Sequence, residues 1–452
     1  MDWVQHVVWW QVYPLGFVGA PVRTPADAPP QAEAPPQADA SPQADAPPAD
    51  DAPPGDSPRP GDAPSAGSRL DRLLPWLDYA VELGVNGLAL GPVFASTSHG
   101  YDTVDHLRLD PRLGDEAAFD RLVEVCRARG LRLLLDGVFN HVGREHPAVI
   151  RALAEGPDGV HARMFRIDYD APGGPRPAVF EGHGTLVALN HDEPAVATYV
   201  TDVMAHWLDR GADGWRLDAA YAVPPEFWAR VLPAVRERHP DAWIVGEVLH
   251  GDYADVVAAS GMDSVTQYEL WKAIWSSLLD RNFFELDWSL QRHNGFLDTF
   301  VPATFVGNHD VTRIAARVGP DAAVLAAVVL ATVGGVPTVY YGDEQGFVAV
   351  KEEREGGDDA VRPAFPATPA DLAPEGWGTY RAHQQLIGLR RRHPWLVSAR
   401  TRAVELSSTR YVYRAQAADG SAALLVELDV SGTPRAVVRD DSGAVLFEHH
   451  GG

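Results

Sequence analysis

The chain has 452 residues, 46% hydrophobic and 22% charged, which is ordinary for a soluble protein and enough for a large core and two or three domains. A formal net charge of -24 excludes nucleic acid and anionic membranes as natural partners, because both demand cationic patches. A neutral ligand such as a sugar is not repelled by that field.

The chain opens on MDWVQHVVWWQVYP, which has neither the basic region nor the cleavage site of a signal peptide, so a cytoplasmic location is expected. No apolar run reaches the length of a membrane span, so no membrane partner is expected. Within this opening, VVWWQVYP (7–14) reads as a first strand. Residues 21–67 then consist almost wholly of Pro, Ala, Asp, Gln and Gly, with a six-residue repeat (PPQAEA, PPQADA, SPQADA). Such a stretch cannot bury enough apolar surface to offset its ordering entropy, so it is read as a disordered insertion whose deletion leaves fold and activity intact.

Beyond it, strand-like runs follow at 84–93, 131–138, 212–218, 243–249, 264–270, 303–310 and 336–344. Amphipathic helical stretches such as 115–129 and 194–210 lie between them. Eight strands alternating with helices predict a (β/α)8 TIM barrel formed by 1–142 and 191–396, with its site at the C-terminal strand ends. Residues 143–190 are too long for a βα loop and predict a small excursion domain after the third strand. From 397 to 452 short strands (RYVYRAQ, AALLVEL, RAVVRD, AVLFEH) predict a C-terminal antiparallel β domain. Cys126 is the single cysteine, so no intrachain disulfide can form.

Three acidic residues close strand-like runs: Asp218 in GADGWRLDAA, Glu247 in WIVGEVL and Asp310 in FVGNHD. One carboxylate at a strand end is usually structural. Three at barrel strand ends suggest a shared pocket, because each is costly to bury without a partner. Paired carboxyls across a sugar are the machinery of glycoside hydrolysis. Arg216, two residues before Asp218, points to the same side and is expected to lower the Asp218 pKa. Glu247 is expected to hold a proton, raised by the neighbouring anion. Asp136, Asn140 and His141 in DGVFNH, and His309 before Asp310, are placed to support the site or bond sugar hydroxyls. Tyr101, in SHGYDTVDH, is expected to offer an aromatic face. Trp215, Trp243, Trp271 and Trp275 read as core, and His6, His250 and His293 as surface or core.

DGVFNH, GWRLDAA, VGEV and VGNHD, in that order on a barrel pattern, resemble the short ordered regions of the α-amylase superfamily of glycoside hydrolases. The resemblance runs from about Val7 to Trp395, apart from the insertion. It implies Asp218 as nucleophile, Glu247 as general acid/base and Asp310 as transition-state stabiliser. It also implies Arg216, His141, His309, Tyr101 and Asp102 as substrate-binding residues, with Asp136 and Asn140 supporting. The stretch from SHGYDTVDH to DGVFNH is similar to cyclomaltodextrinases and neopullulanases, which act on small maltooligosaccharides and cyclodextrins; oligosaccharide α-glucosidases share the YD pair. The N-terminal β domain of the former has no counterpart before Val7, and their motif before the fourth strand is replaced by LVALN (186–190).

A Lys-His pair common in α-amylases after the nucleophile is here Tyr221 and Ala222. An Asp-rich calcium loop seen after the first strand of some α-glucosidases is missing. No cofactor and no obligatory calcium are therefore expected, and Asn140 is as suited to pinning its loop as to holding a metal. The expected function is retaining hydrolysis of α-1,4-linked, and as an alternative α-1,6-linked, glucooligosaccharides through a covalent glycosyl-enzyme. A transglycosidase or isomerase of the trehalose-synthase kind would share the first half-reaction, and a non-catalytic sugar-binding barrel is the rival from another class. Linkage preference, chain length and oligomeric state are not legible.

Overall fold

The computed structural model describes residues 2–22, 68–354 and 356–452. From residue 23 onward, the predicted insertion lies outside the described residues. The eight predicted strands are present as β1 (Trp9–Val12), β2 (Gly87–Leu90), β3 (Arg132–Gly137), β4 (Gly214–Leu217), β5 (Trp243–Gly246), β6 (Ser264–Val265), β7 (Ala303–Phe305) and β8 (Val336–Tyr340). They pair in parallel in the order β6-β5-β4-β3-β2-β1-β8-β7. A parallel bridge between Thr266 and Ala303 closes the ring, with the Gln267 N–H donating to the Ala303 carbonyl at 2.8 Å.

The sixth strand is shorter than its pattern predicted. The Gln267 side chain caps the N-terminus of the helix Tyr268–Leu279 by accepting from the Leu270 N–H, so the QYEL part of the run is helix, not strand.

Strand periodicity sorts side chains into two cores. One set faces the surrounding helices and includes Trp10, Leu88, Leu135, Trp215 and Ile244. The other fills the barrel lumen with Val7, Trp9, Ala89, Leu134, Trp243, Val245, Ala303 and Val336. Trp9 and Trp243 stack there, with ring centres 5.8 Å apart and planes 12° from parallel. Room for them comes from missing side chains. A Cβ on Gly87 would lie 2.4 Å from the Trp9 ring, and one on Gly214 would lie 2.2 Å from the Trp243 carbonyl.

The predicted helices at 115–129 and 194–210 form at Glu116–Ala128 and Pro194–Asp209. Asp115 caps the first by accepting from the Ala118 N–H, and Pro at the first position starts the second. Of the four tryptophans read as core, Trp215 and Trp243 are buried, while Trp271 and Trp275 are half-buried. His293 is buried; His6 and His250 are exposed.

After β3, His141–Gly143 pairs antiparallel with Leu186–Ala188. The segment between them holds the helix Pro147–Glu155 and a small ladder of Ile167–Asp168 with Arg176–Pro177. The chain ends in a five-stranded antiparallel meander: Arg400–Leu406, Arg410–Gln416, Ala423–Asp429, Arg435–Asp440 and Val445–His450. The first of these was missed in the sequence because RTRAVEL lies on the sheet's edge and carries charges where a buried strand would be apolar. Helix Pro320–Thr332 is buried all round from Ala322 onward, wedged between barrel and meander. Among the described residues no helix is long and apolar enough to cross a membrane.

Candidate active site

The lumen changes character at the C-terminal strand ends. Asp136 lies in β3; Asp218 directly follows β4 and Glu247 follows β5. Ladder bonds continue past the strands and hold both: Asp218 N–H to the Gly137 carbonyl (3.0 Å) and Glu247 N–H to the Leu217 carbonyl (2.9 Å). All three carboxyls are buried.

Arg216 joins them. Its Nη1 donates to both Asp136 oxygens at 2.7 and 2.6 Å, and lies 3.4 Å from Asp218 Oδ1. Its Nη2 lies 2.8 Å from Glu247 Oε1. Glu247 accepts two further bonds, from the Ala219 N–H (3.0 Å) and the Tyr268 hydroxyl (3.0 Å). Ala219 adopts a left-handed φ of 46°, unusual without a glycine, which aims its N–H at Glu247.

This arrangement corrects the expected electrostatics of Asp218. Burial, and next the Glu247 carboxylate, push Asp218 well above the usual carboxylate range, against the pull of Arg216. The guanidinium serves Asp136 and Glu247 more closely than Asp218, so its lowering pull is outweighed and Asp218 is not held low as the i, i+2 spacing predicted. Asp136 is also raised, by burial first, with Arg216 opposing.

Asp310 lies beyond β7 and is partly exposed. His309 Nε2 is 2.9 Å from Asp310 Oδ2, and Arg362 Nη2 donates to Oδ1 at 2.8 Å. Burial alone would raise this carboxyl, but His309 and then Arg362 hold it well below the usual range. Arg362 also bonds the His309 carbonyl at 2.9 Å, pairs with Asp358 and lies 4.7 Å from the Tyr13 ring centre. A relay ties Asp310 to Glu247: Asp310 N–H to Asn308 Oδ1 (2.9 Å), Asn308 Nδ2 to the Tyr268 hydroxyl (2.9 Å), and that hydroxyl to Glu247.

Other sequence-predicted residues gather here with altered contacts. Tyr101 is buried; its hydroxyl donates to Asp136 Oδ2 (3.1 Å) and meets His309 Nε2, and its ring lies 5.4 Å from that of His309 with planes 3° from parallel. His141 has both nitrogens occupied within the protein, Nδ1 by the Asn140 amide (3.0 Å) and Nε2 by the Tyr101 carbonyl (3.1 Å). Burial lowers its pKa to about 4, so it is neutral. A sugar hydroxyl would have to replace one of those bonds. Asp102 is buried and accepts from the Ser98 hydroxyl at 2.7 Å. Asn140 pins His141, and among the described residues no group of three or more His, Cys, Asp or Glu is arranged to hold a metal ion.

Sequence reasoning missed Gln11, whose amide nitrogen lies 3.4 Å from His309 Nδ1, and Tyr13, Tyr268, Asn308 and Arg362. Asn308 lay within the quoted VGNHD, and Tyr268 was hidden in a run read as strand. Arg362 sits in the irregular stretch after β8, where no periodicity marks it.

A family model described as "Alpha amylase, catalytic domain" matches residues 62–169 and 179–397. The chain belongs to this family. Among its curated relatives within the α-amylases, a cyclomaltodextrinase of Geobacillus thermopakistaniensis is 29% identical over 409 residues, 87% of this chain and 63% of the relative. Neopullulanase 2 of Thermoactinomyces vulgaris is 31% identical over 338 residues, 72% of this chain and 56% of the relative. The chain thus spans less than two thirds of the length of these relatives. A solved structure of the cyclic alpha-maltosyl-(1-->6)-maltose hydrolase from Arthrobacter globiformis superimposes with a TM-score of 0.76 at 25% identity, covering 99% of this chain and 100% of that one.

Proposed function

We propose that this α-amylase-family chain is a retaining hydrolase of short α-linked glucans, with Asp218 as nucleophile, Glu247 as general acid/base and Asp310 bracing the transition state. The observation that carries this reading is Arg216, whose guanidinium reaches Asp218 with one nitrogen and Glu247 with the other. One guanidinium touching both keeps the carboxyls close, which supports the retaining arrangement of about 5–5.5 Å over the wider, water-spanned inverting one.

Asp218 holds a proton readily in the free site and must lose it before attacking the anomeric carbon. Glu247, held by the same guanidinium, is the proposed acceptor, so transfer to it frees the nucleophile and arms the acid together. Glu247 then protonates the glycosidic oxygen, the C–O bond breaks and Asp218 bonds to the anomeric carbon. Water, giving its proton to Glu247, displaces Asp218 and releases the sugar with retained α configuration. Asp310, held ionised by His309 and Arg362, stabilises the positive charge that develops on the ring.

The substrate class draws support from relatives named for cyclodextrins, pullulan-type glucans and α-1,6-linked cyclic maltose. A cytoplasmic location is proposed with support from the printed name of a Bacillus subtilis relative, "Intracellular maltogenic amylase". Calcium independence is proposed because Tyr221 and Ala222 stand where many α-amylases carry the Lys-His pair beside their calcium site. Dialysis against EGTA should leave activity and melting temperature unchanged.

The deciding measurement is proton NMR of maltotriose with the enzyme beside an Asp218→Asn control. Early α-anomer that then mutarotates, absent in the control, is expected. Early β-anomer would sink the retaining reading, and longer products would point to transfer.

A further inference from the structure

Among the described residues three arginines are buried: Arg313, Arg362 and Arg390. Arg313 pairs with Asp343, and Arg362 with Asp310 and Asp358. Arg390, in the last turn of the helix Trp377–Arg392, has no carboxylate partner among the described residues. Its Nη1 donates to the Ala331 and Val333 carbonyls at 3.1 and 2.8 Å, and its Nη2 donates to the Gly335 carbonyl. Burial pulls all three guanidinium pKa values down. Neighbouring carboxylates and phenols more than reverse that at Arg313 and Arg362, whereas nothing does at Arg390, which falls to about 10 and stays charged at neutral pH. A buried charge without a counter-charge opposes folding.

Arg390 borders a cavity of about 180 Å³ at the N-terminal mouth of the barrel, the end opposite the carboxyl site. Arg391, His6 and Gln5 also line it, with Val7 and Val8, which lead into β1. Three of the lining residues are basic and none is acidic, in a chain of net charge -24. A guanidinium carries five N–H donors, and at Arg390 carbonyls engage three of them. Its Nε has no acceptor among the described residues and, unlike that of Arg313, is not sealed from solvent. Arg391 is exposed and joins no ion pair among the described residues; its Nη1 donates to the Gly84 carbonyl at 2.9 Å. Bracing the turn before β8 accounts for the carbonyl bonds of Arg390, but not for the cationic cavity beside them. That cavity is smaller than the roughly 300–1,000 Å³ of sites for larger ligands. It has room for one small oxyanion, with anything attached projecting outward.

We propose that this cavity is an oxyanion site that takes a phosphate group, free or as the phosphomonoester of a sugar, between Arg390, Arg391 and His6. Arg390 offers Nε and its remaining Nη2 hydrogen, the edge of a guanidinium that matches two oxygens of one phosphate. Arg391 and the His6 imidazole close on the other oxygens from the rim. The site is separate from the carboxyl site and does not depend on the hydrolase reading.

The test is isothermal titration calorimetry of the full chain with inorganic phosphate and with glucose 1-phosphate, at constant pH and ionic strength. Phosphate should bind at one site and raise the melting temperature in a saturable way, because it binds the folded chain alone. Arg391→Gln combined with His6→Gln changes only exposed side chains and should weaken phosphate binding by about tenfold or more, the scale of one charged hydrogen bond. His6→Glu, which puts a carboxylate into the cavity and leaves Arg391 in place, should abolish it. Tighter binding of glucose 1-phosphate, lost in the same variants, would identify a sugar phosphate as the ligand; equal or weaker binding would identify the free ion. No binding of either compound to the native chain, or binding that both variants leave unchanged, would overturn the site and leave Arg390 as a brace alone.

Discussion

At the N-terminal end of the barrel the lumen is filled by Trp9, Leu134, Trp243 and Val245, all buried and apolar. Two residues further along the same strands, the same inward positions carry Gln11 after Trp9, Asp136 after Leu134, Arg216 after Gly214 and Glu247 after Val245. Strand geometry is identical at both ends; what differs is the solvation cost of the side chains. The lower layer contributes stability through burial, on the order of 25 cal/mol per Å² of apolar surface. The upper layer buries charges that water would hold better, and only mutual pairing makes that tolerable. The apolar plug thus offsets a site that opposes folding, and substitutions at the two ends should separate function from stability.

The largest effect is expected at the upper end. Asp218→Asn should lower kcat by a factor on the order of 10⁴ or more, as for other essential nucleophiles. Its melting temperature should hold or rise, because one of several crowded carboxyls is neutralised. A marked loss of stability would show that Asp218 is structural and that the two ends are not divided as argued. Arg216→Met should fail on both counts. It strips the shared partner from Asp136, Asp218 and Glu247, and should destabilise by about 3–5 kcal/mol as breaking a buried ion pair does. Urea unfolding, together with the loss of turnover, measures this.

The lower end should respond in the opposite sense. Trp9→Ala leaves a cavity against Trp243 and should destabilise by about 3–5 kcal/mol, while the folded enzyme keeps its kcat. A large drop in kcat at unchanged stability would erase the distinction between the layers.

The smallest expected effect is on pH dependence. Burial lowers His106 to about 3 and His141, His146 and His293 to about 4. At these four imidazoles the unfolded chain takes up protons that the folded chain refuses, so their contribution to stability falls as pH drops from about 6.5 toward about 4, offset in part by Asp218 and Asp136, whose raised carboxyls take up protons in the folded chain. The melting temperature should decline by several degrees across that window. A flat profile would mean that these imidazoles are solvated in the folded chain.

Much of this architecture was legible because strand and helix periods are local. All eight barrel strands fall within their apolar runs but are shorter than them, most of all at 264–270, where a glutamine cap is invisible to a period-two count. The motif-bearing residues Asp218, Glu247, Asp310, Arg216, Asp136 and His309 are brought together as the resemblance implied. Arg362 and Tyr13 were not legible. Arg362 reaches Asp310 and the His309 carbonyl, and the Tyr13 ring stacks against that of His309, from segments far away in sequence.

By itself the sequence determined which residues face inward, since alternation along each strand needs only the local pattern of side chains. It also determined the order in which carboxylates meet the barrel's C-terminal rim. Only the tertiary structure decided how those groups share their partners. Arg216 serves Asp136 and Glu247 more closely than Asp218, His141 is already bonded on both nitrogens, and Glu181 reaches Tyr221 across the cleft. Distances and burial set the strength of each charge interaction, and neither is encoded in spacing along the chain.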